Sequence, residues 1–174
     1  MASDFAKRHL IVGTSNVKST KVGHIYSIKD TVKDMDNGEL VLLGNLISGE
    51  REIYAVKTPT KTDKGVVLVN TPPLIYEQYT TLMGAEYNFY NKANETARSM
   101  ELEKTDIYEV SVAAFTPINS TTGVVPDNYI INDGNRRLKE VATLDGTEGF
   151  VGQVLFTRTY GANDTRVTIK VIQN

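Results

Sequence analysis

Apolar and polar residues alternate with a period of two through most of this chain, most plainly at its C-terminal end. There Val167, Ile169 and Val171 share one face of a segment whose other face carries Thr168 and Lys170, the pattern of a half-buried strand. Phe150 to Tyr160 precedes it across Gly161-Ala162-Asn163-Asp164, so the two segments predict a closing hairpin. Another hairpin is predicted from Tyr129-Ile130-Ile131 and Leu138 to Thr143 around the turn Asn132-Asp133-Gly134-Asn135. Met100 and Leu102 alternate with Glu101 and Glu103, Lys104-Thr105-Asp106 turns the chain, and Tyr108, Val110 and Val112 then alternate with Ile107, Glu109 and Ser111.

Nearer the N-terminus, His24 to Ile28, Glu39 to Ile47 and Glu52 to Lys57 read as strands. Asp36-Asn37-Gly38 reads as a hairpin turn, because Asn and Gly tolerate the positive φ such turns need. Val66 to Val69 is continuously apolar and so predicts a buried strand, which Pro72-Pro73 closes. Tyr76, Tyr79 and Met83 fall at i, i+3 and i+7, so Leu74 to Met83 predicts one or two helical turns ending at Gly84. Residues 1 to 22 lack a sustained period. Leu10-Ile11-Val12 has the makings of one short strand, and the Ser/Thr/Asn/Lys tract after it reads as an extended arm. The expectation is an all-β, mainly antiparallel barrel or sandwich over residues 23–174, with at most one short helix and an N-terminal arm over residues 1–22.

Composition points the same way. Val, Ile and Thr supply 50 of the 174 residues, against 22 for Ala and Leu, which favours strands over helices. Basic and acidic residues number 19 and 21 and are interspersed, so no field for nucleic acid is implied. Nothing approaches the length of a membrane span, and the start of the chain predicts no signal peptide, so synthesis in the cytoplasm is expected.

The chemical inventory is thin: no Cys, no Trp, and two histidines, His9 and His24. Gly13-Thr-Ser-Asn-Val-Lys18-Ser19 lacks the second Gly of a phosphate-binding loop, and strand-forming residues follow where a helix should open. Asp34, Asp36, Asn37 and Gly38 suggest a calcium loop, yet its twelfth position is Asn45 rather than a bidentate Glu, so a turn is the better reading. His24 reads as a strand histidine satisfied by local hydrogen bonds, and His9 falls in the arm. Glu101 and Glu103 share a face, as paired acids would, but beside a turn they read as solvent-facing. Tyr76, Tyr79, Tyr87 and Tyr90, with Phe89, form a cluster open to three readings: an interface, a core plug or a sugar platform. No enzyme activity, metal or cofactor is expected.

Gly23-His-Ile-Tyr26-Ser-Ile, Asp36-Asn-Gly38, Thr71-Pro-Pro-Leu-Ile-Tyr76, Asn88-Phe-Tyr-Asn91, Glu95-Thr-Ala97-Arg98 and Asp106-Ile-Tyr-Glu-Val-Ser111 occur in this order. Over Gly23 to Ser111 the chain thereby resembles a group of small structural proteins of tailed bacteriophages, encoded beside the major capsid protein. The resemblance implies a virion component, a capsid decoration (cement) protein, whose partner is the major capsid protein and which self-associates on the capsid. The alternative is a tail or fibre module that binds a host-surface ligand. In the first case the arm is the expected contact: Leu10, Ile11 and Val12 would add to a sheet edge, while Lys18 and Lys21 meet acidic rims.

Overall fold

A computed structural model describes residues 9–73, 86–116, 124–160 and 164–174. The chain is all-β. Its strands are β1 (Val12–Asn16), β2 (Ile25–Lys29), β3 (Leu40–Leu46), β4 (Ile53–Lys57), β5 (Val67–Val69), β6 (Ala97–Glu101), β7 (Ile107–Ser111), β8 (Tyr129–Asn132), β9 (Leu138–Val141), β10 (Val151–Tyr160) and β11 (Asp164–Gln173). The helical turns predicted over Leu74 to Met83 lie outside the described residues. A four-residue helix, α1 (Ser19–Val22), forms instead where the arm was expected; Gly23, at φ 82°, closes it by donating its N–H to the Ser19 carbonyl.

The strands sort into two bodies. β2-β4-β3-β5-β6 close into a barrel, while β1-β7-β11-β10-β8-β9 form an open six-stranded sheet. Among the described strand pairs only β2–β4 is parallel; the others are antiparallel. Strict alternation makes β3 and β5 a wall shared by two cores. Leu40, Val66 and Leu68 pack with Tyr108, Val110, Ile130, Val154, Val167 and Ile169 of the sheet. Val41, Val67 and Val69 turn the other way, into the barrel, with Ile28, Met35 and Ala97. That is why residues 66 to 69 are apolar without interruption: both faces of this segment are buried.

Two expectations need correction. Residues 9 to 22 are not an arm. Leu10 and Val17 belong to the core shared by barrel and sheet, and β1 pairs with β7 in the register Val12↔Val110, Gly13↔Glu109. Ile11 exchanges bonds with Ser111, its N–H reaching Oγ at 3.0 Å and its carbonyl accepting the Ser111 N–H at 3.0 Å. The sheet therefore draws on both ends of the chain, and the barrel on its middle. The second correction concerns Asn37-Gly38. It is a tight turn, with the Glu39 N–H on the Asp36 carbonyl and Gly38 at φ 91°, but it joins no hairpin, because β2 pairs with β4 and β6 and not with β3. Its chemistry is long-range: Asn37 Oδ1 accepts the Thr71 N–H at 2.8 Å and Nδ2 donates to the Thr71 carbonyl at 2.9 Å, tying off the chain just beyond β5.

Candidate functional site

β10 and β11 run on as a ribbon past the end of β8. β8 covers β10 over Val151 to Gln153, and the Asp127–Asn128 backbone extends that cover to Val154. Beyond a bulge at Leu155, the ladder with β11 continues from Phe156↔Thr168 to Tyr160↔Asp164. Among the described residues no strand lies on the other side of β10 there, and every residue from Phe156 to Tyr160 is exposed.

The pleat decides what this ribbon presents. Val167 faces the core, so its ladder partner Thr157 shares that side, and Phe156, Arg158 and Tyr160 project together from the opposite face. Phe156 is 38% and Tyr160 42% exposed, unusual for large rings. The Arg158 guanidinium lies 4.8 Å from the Phe156 ring centre and that of Arg166 4.6 Å from the Tyr160 ring centre. Tyr160 donates its hydroxyl to Glu109 at 3.3 Å, and Arg166 bonds Asp164 through Nε and Nη2 at 2.9 and 2.7 Å. The result is an aromatic–arginine face held on a regular ladder. Its signal in the sequence is Phe156-Thr-Arg158-Thr-Tyr160, in which the positions facing away from the core carry rings and a cation.

The contact residues expected from the arm lie elsewhere. Leu10 and Ile11 are buried, Val12 packs partly against the same core, Lys18 is paired with Glu103, and Lys21 is exposed on α1. Lys18 belongs to a cluster at one mouth of the barrel that sequence spacing only half revealed. Glu101 and Glu103 do converge, and His24 joins them, with Nδ1 3.2 Å from Glu101 Oε2 and 3.6 Å from Glu103 Oε1. The Tyr26 hydroxyl donates to Glu101 at 3.1 Å; burial, then this bond, push its pKa up. The Lys18 ammonium is held above its ordinary value by its hydrogen bond to Glu103. With His24 and Glu101 each more than a third exposed, water screens these pairs, and the arrangement is that of a surface ion network.

A second network is buried and joins the two bodies. Asp30, just after β2, receives the Val32 and Lys33 N–H groups at 2.8 and 3.0 Å and Arg136 Nη2 at 2.6 Å. Burial works against its charge, but these bonds outweigh it and hold the carboxyl below its usual range. Arg136 also faces Glu39 at 4.0 Å, Arg137 faces Asp36 at 3.8 Å, and His9 Nδ1 meets Asp36 Oδ1 at 2.5 Å. Burial pushes the Glu39 carboxyl up, and the neighbouring Asp36 adds to the shift. Tyr90 stacks on His9 with ring centres 4.6 Å apart, so this half of the tyrosine cluster serves packing; Tyr76 and Tyr79 lie outside the described residues.

A cleft of about 340 Å³ lies between Lys61, Asp133, Lys139, Asp145 and Glu148. Lys61 is already paired there with Asp145 at 2.7 Å and Glu148 at 3.5 Å. Among the described residues no group of three or more His, Asp or Glu is placed to hold a metal ion, and no helix is long and apolar enough to cross a membrane. No protein-family model, curated protein or solved structure matches the chain.

Proposed function

We propose that this chain is a non-enzymatic structural protein of a tailed-bacteriophage virion, a capsid decoration protein that binds the major capsid protein lattice through the β10–β11 ribbon. The observation that carries the contact is the solvent face of Phe156, Arg158 and Tyr160. Aromatic residues and arginine dominate the energetic centres of protein interfaces, because a ring buries much area at little entropic cost and a guanidinium pairs in a fixed geometry. Here they stand together on a strand already braced by Asp164, Glu109 and Arg166. The virion context rests on the resemblance over Gly23 to Ser111, whose fragments include most of β2 and the start of β6 in the barrel's wall and β7 of the sheet. Synthesis in the host cytoplasm precedes assembly.

This reading replaces Leu10 to Val12 as the contact, because those residues are spent on the core. Two measurements test it. Labelling and electron microscopy of purified virions should find the chain on the head; its absence from virions, or its presence on the tail alone, refutes the assignment. The double variant Phe156→Ala/Tyr160→Ala should keep the fold and lose at least about thirtyfold in affinity for capsids assembled without the protein, the loss of a single interface anchor worth ~2 kcal/mol.

A further inference from the structure

Among the described residues the ribbon has an open edge as well as a face, and the hydrogen-bond phase of the ladder identifies which groups line it. Val171 exchanges backbone bonds with the β7 side, its N–H donating to Asp106 at 2.8 Å and its carbonyl accepting from Thr105 at 2.9 Å. The β7–β11 register runs without a break from Arg166↔Ser111 to Lys170↔Ile107. In an antiparallel ladder the backbone groups of successive residues point to opposite edges. Thr165, Val167 and Ile169 therefore address β7, while Asp164, Arg166 and Thr168 address β10. Their partners Tyr160, Arg158 and Phe156 are thus satisfied, and the N–H and C=O groups of Thr157 and Thr159 point away from β11 into the open edge. Soluble proteins guard such edges with prolines, charges, bulges or short strands. The guards here are the bulge at Leu155 and the charge of Arg158; no proline interrupts residues 156 to 160, and the ladder with β11 is unbroken there.

We infer that the Thr157–Thr159 edge of β10 is completed by an extended strand from the partner, added antiparallel, with a carboxylate placed beside Arg158. The main chain supplies register through Thr157 and Thr159, and alternate side chains supply selectivity. The charge argument selects the occupant. Arg158 is the sole charged residue between Val151 and Tyr160, and among the described residues it lies over the Phe156 ring with no carboxylate paired to it, whereas Arg166 on the same face has Asp164 and Glu109. A second copy pairing β10 with β10 would bring two Arg158 side chains to opposite or diagonal positions with no carboxylate on either strand, an arrangement that repels. An acidic strand instead sets a carboxylate on the face shared by Phe156, Arg158 and Tyr160, where the guanidinium takes it as a fork.

The proposal rests on the virion reading for the source of that strand: an extended acidic segment of the capsid protein. The test uses the full chain, capsids assembled without it, and three variants. Thr157→Pro and Thr159→Pro each remove a donor from the open edge while leaving the β11 ladder intact; Arg158→Glu reverses the charge at an exposed position. Each should fold, by circular dichroism and thermal melting, and lose at least tenfold in capsid affinity, and Arg158→Lys should lose far less than Arg158→Glu. Amides of Thr157 and Thr159 in the wild-type protein should become protected from hydrogen exchange on binding. Wild-type binding that Arg158→Glu retains, or that leaves those amides unprotected, overturns the added strand and leaves the virion reading standing. Should the proline variants misfold, the charge reversal and the exchange measurement decide alone. Failure of the wild-type protein to bind capsids overturns the virion reading itself.

Discussion

Substituting Gly38 tests how the turn before β3 is built into the molecule. Its φ of 91° lies in the left-handed region, where a β-carbon costs about 1–2 kcal/mol. A Cβ there would also stand 2.7 Å from Val110 Cγ2 and 3.1 Å from Val12 Cγ2; Val110 lies in the core, and Val12 packs against it. Forcing extra carbon into such a site costs about 1–3 kcal/mol more. Gly38→Val should therefore destabilise by about 2–5 kcal/mol, a large share of the ~5–15 kcal/mol that holds a domain folded. Gly49 separates the two contributions. It has nearly the same φ, 85°, but nothing lies within 4 Å of its would-be Cβ. Gly49→Ala thus reports strain alone, and Gly38→Ala reports strain plus crowding. Urea unfolding with linear extrapolation measures both, at an unchanged slope if only the folded state is affected. Equal losses for the two alanine variants would mean that Gly38 does not press on Val110. No loss in Gly38→Val would refute the turn altogether.

Tyr108 is fully buried, its hydroxyl has no hydrogen-bond partner among the described residues, and burial drives its pKa well up; Tyr108→Phe should be neutral or raise stability by up to about 1 kcal/mol, and a clear loss in urea unfolding would mean that the hydroxyl is bonded. Deleting residues 2 to 20 removes Leu10, Val17 and β1 and should abolish the cooperative thermal transition; a truncated chain that still melts cooperatively would restore the arm. Because the folded-state pKa of Glu39 lies above its ordinary 4.5, the folded chain holds that proton more tightly than the unfolded chain. Its contribution is then full below the ordinary value and falls as pH rises through the folded value. The stability of the wild type relative to Glu39→Gln should accordingly decline from acid to neutral pH, and a difference that does not vary with pH would contradict the burial argument.

What could be read from the residues was local. Val66 to Val69 had to be a buried strand because four apolar residues in a row leave no face for water. The β10–β11 and β8–β9 hairpins were legible because their strands flank short turn-forming segments, so the pairing partner is the next segment along. Gly38 was legible as a positive-φ position because an Asn-Gly pair tolerates that backbone whichever strands it joins. The candidate site was legible only in part: the alternation Phe156, Arg158, Tyr160 stands in the sequence, but whether that set or Thr157 and Thr159 meets water depends on which side Val167 and Ile169 are packed.

The sequence by itself determined strand content, most strand positions and the residues that bend the chain, since these follow from steric preferences acting within a few residues. Tertiary structure alone decided the partners that are distant in sequence. Val12 meets Val110, His9 meets Asp36, and Asp30 meets Arg136, at separations where alternation carries no address. A strand with one apolar face fits any complementary edge, and closing a longer loop costs only slightly more entropy than closing a shorter one, so sequence distance barely discriminates among partners. The whole core makes that choice. It is also what leaves one edge, at Thr157 and Thr159, without a partner strand among the described residues, because β8 begins at Tyr129, opposite Gln153, while β10 continues to Tyr160.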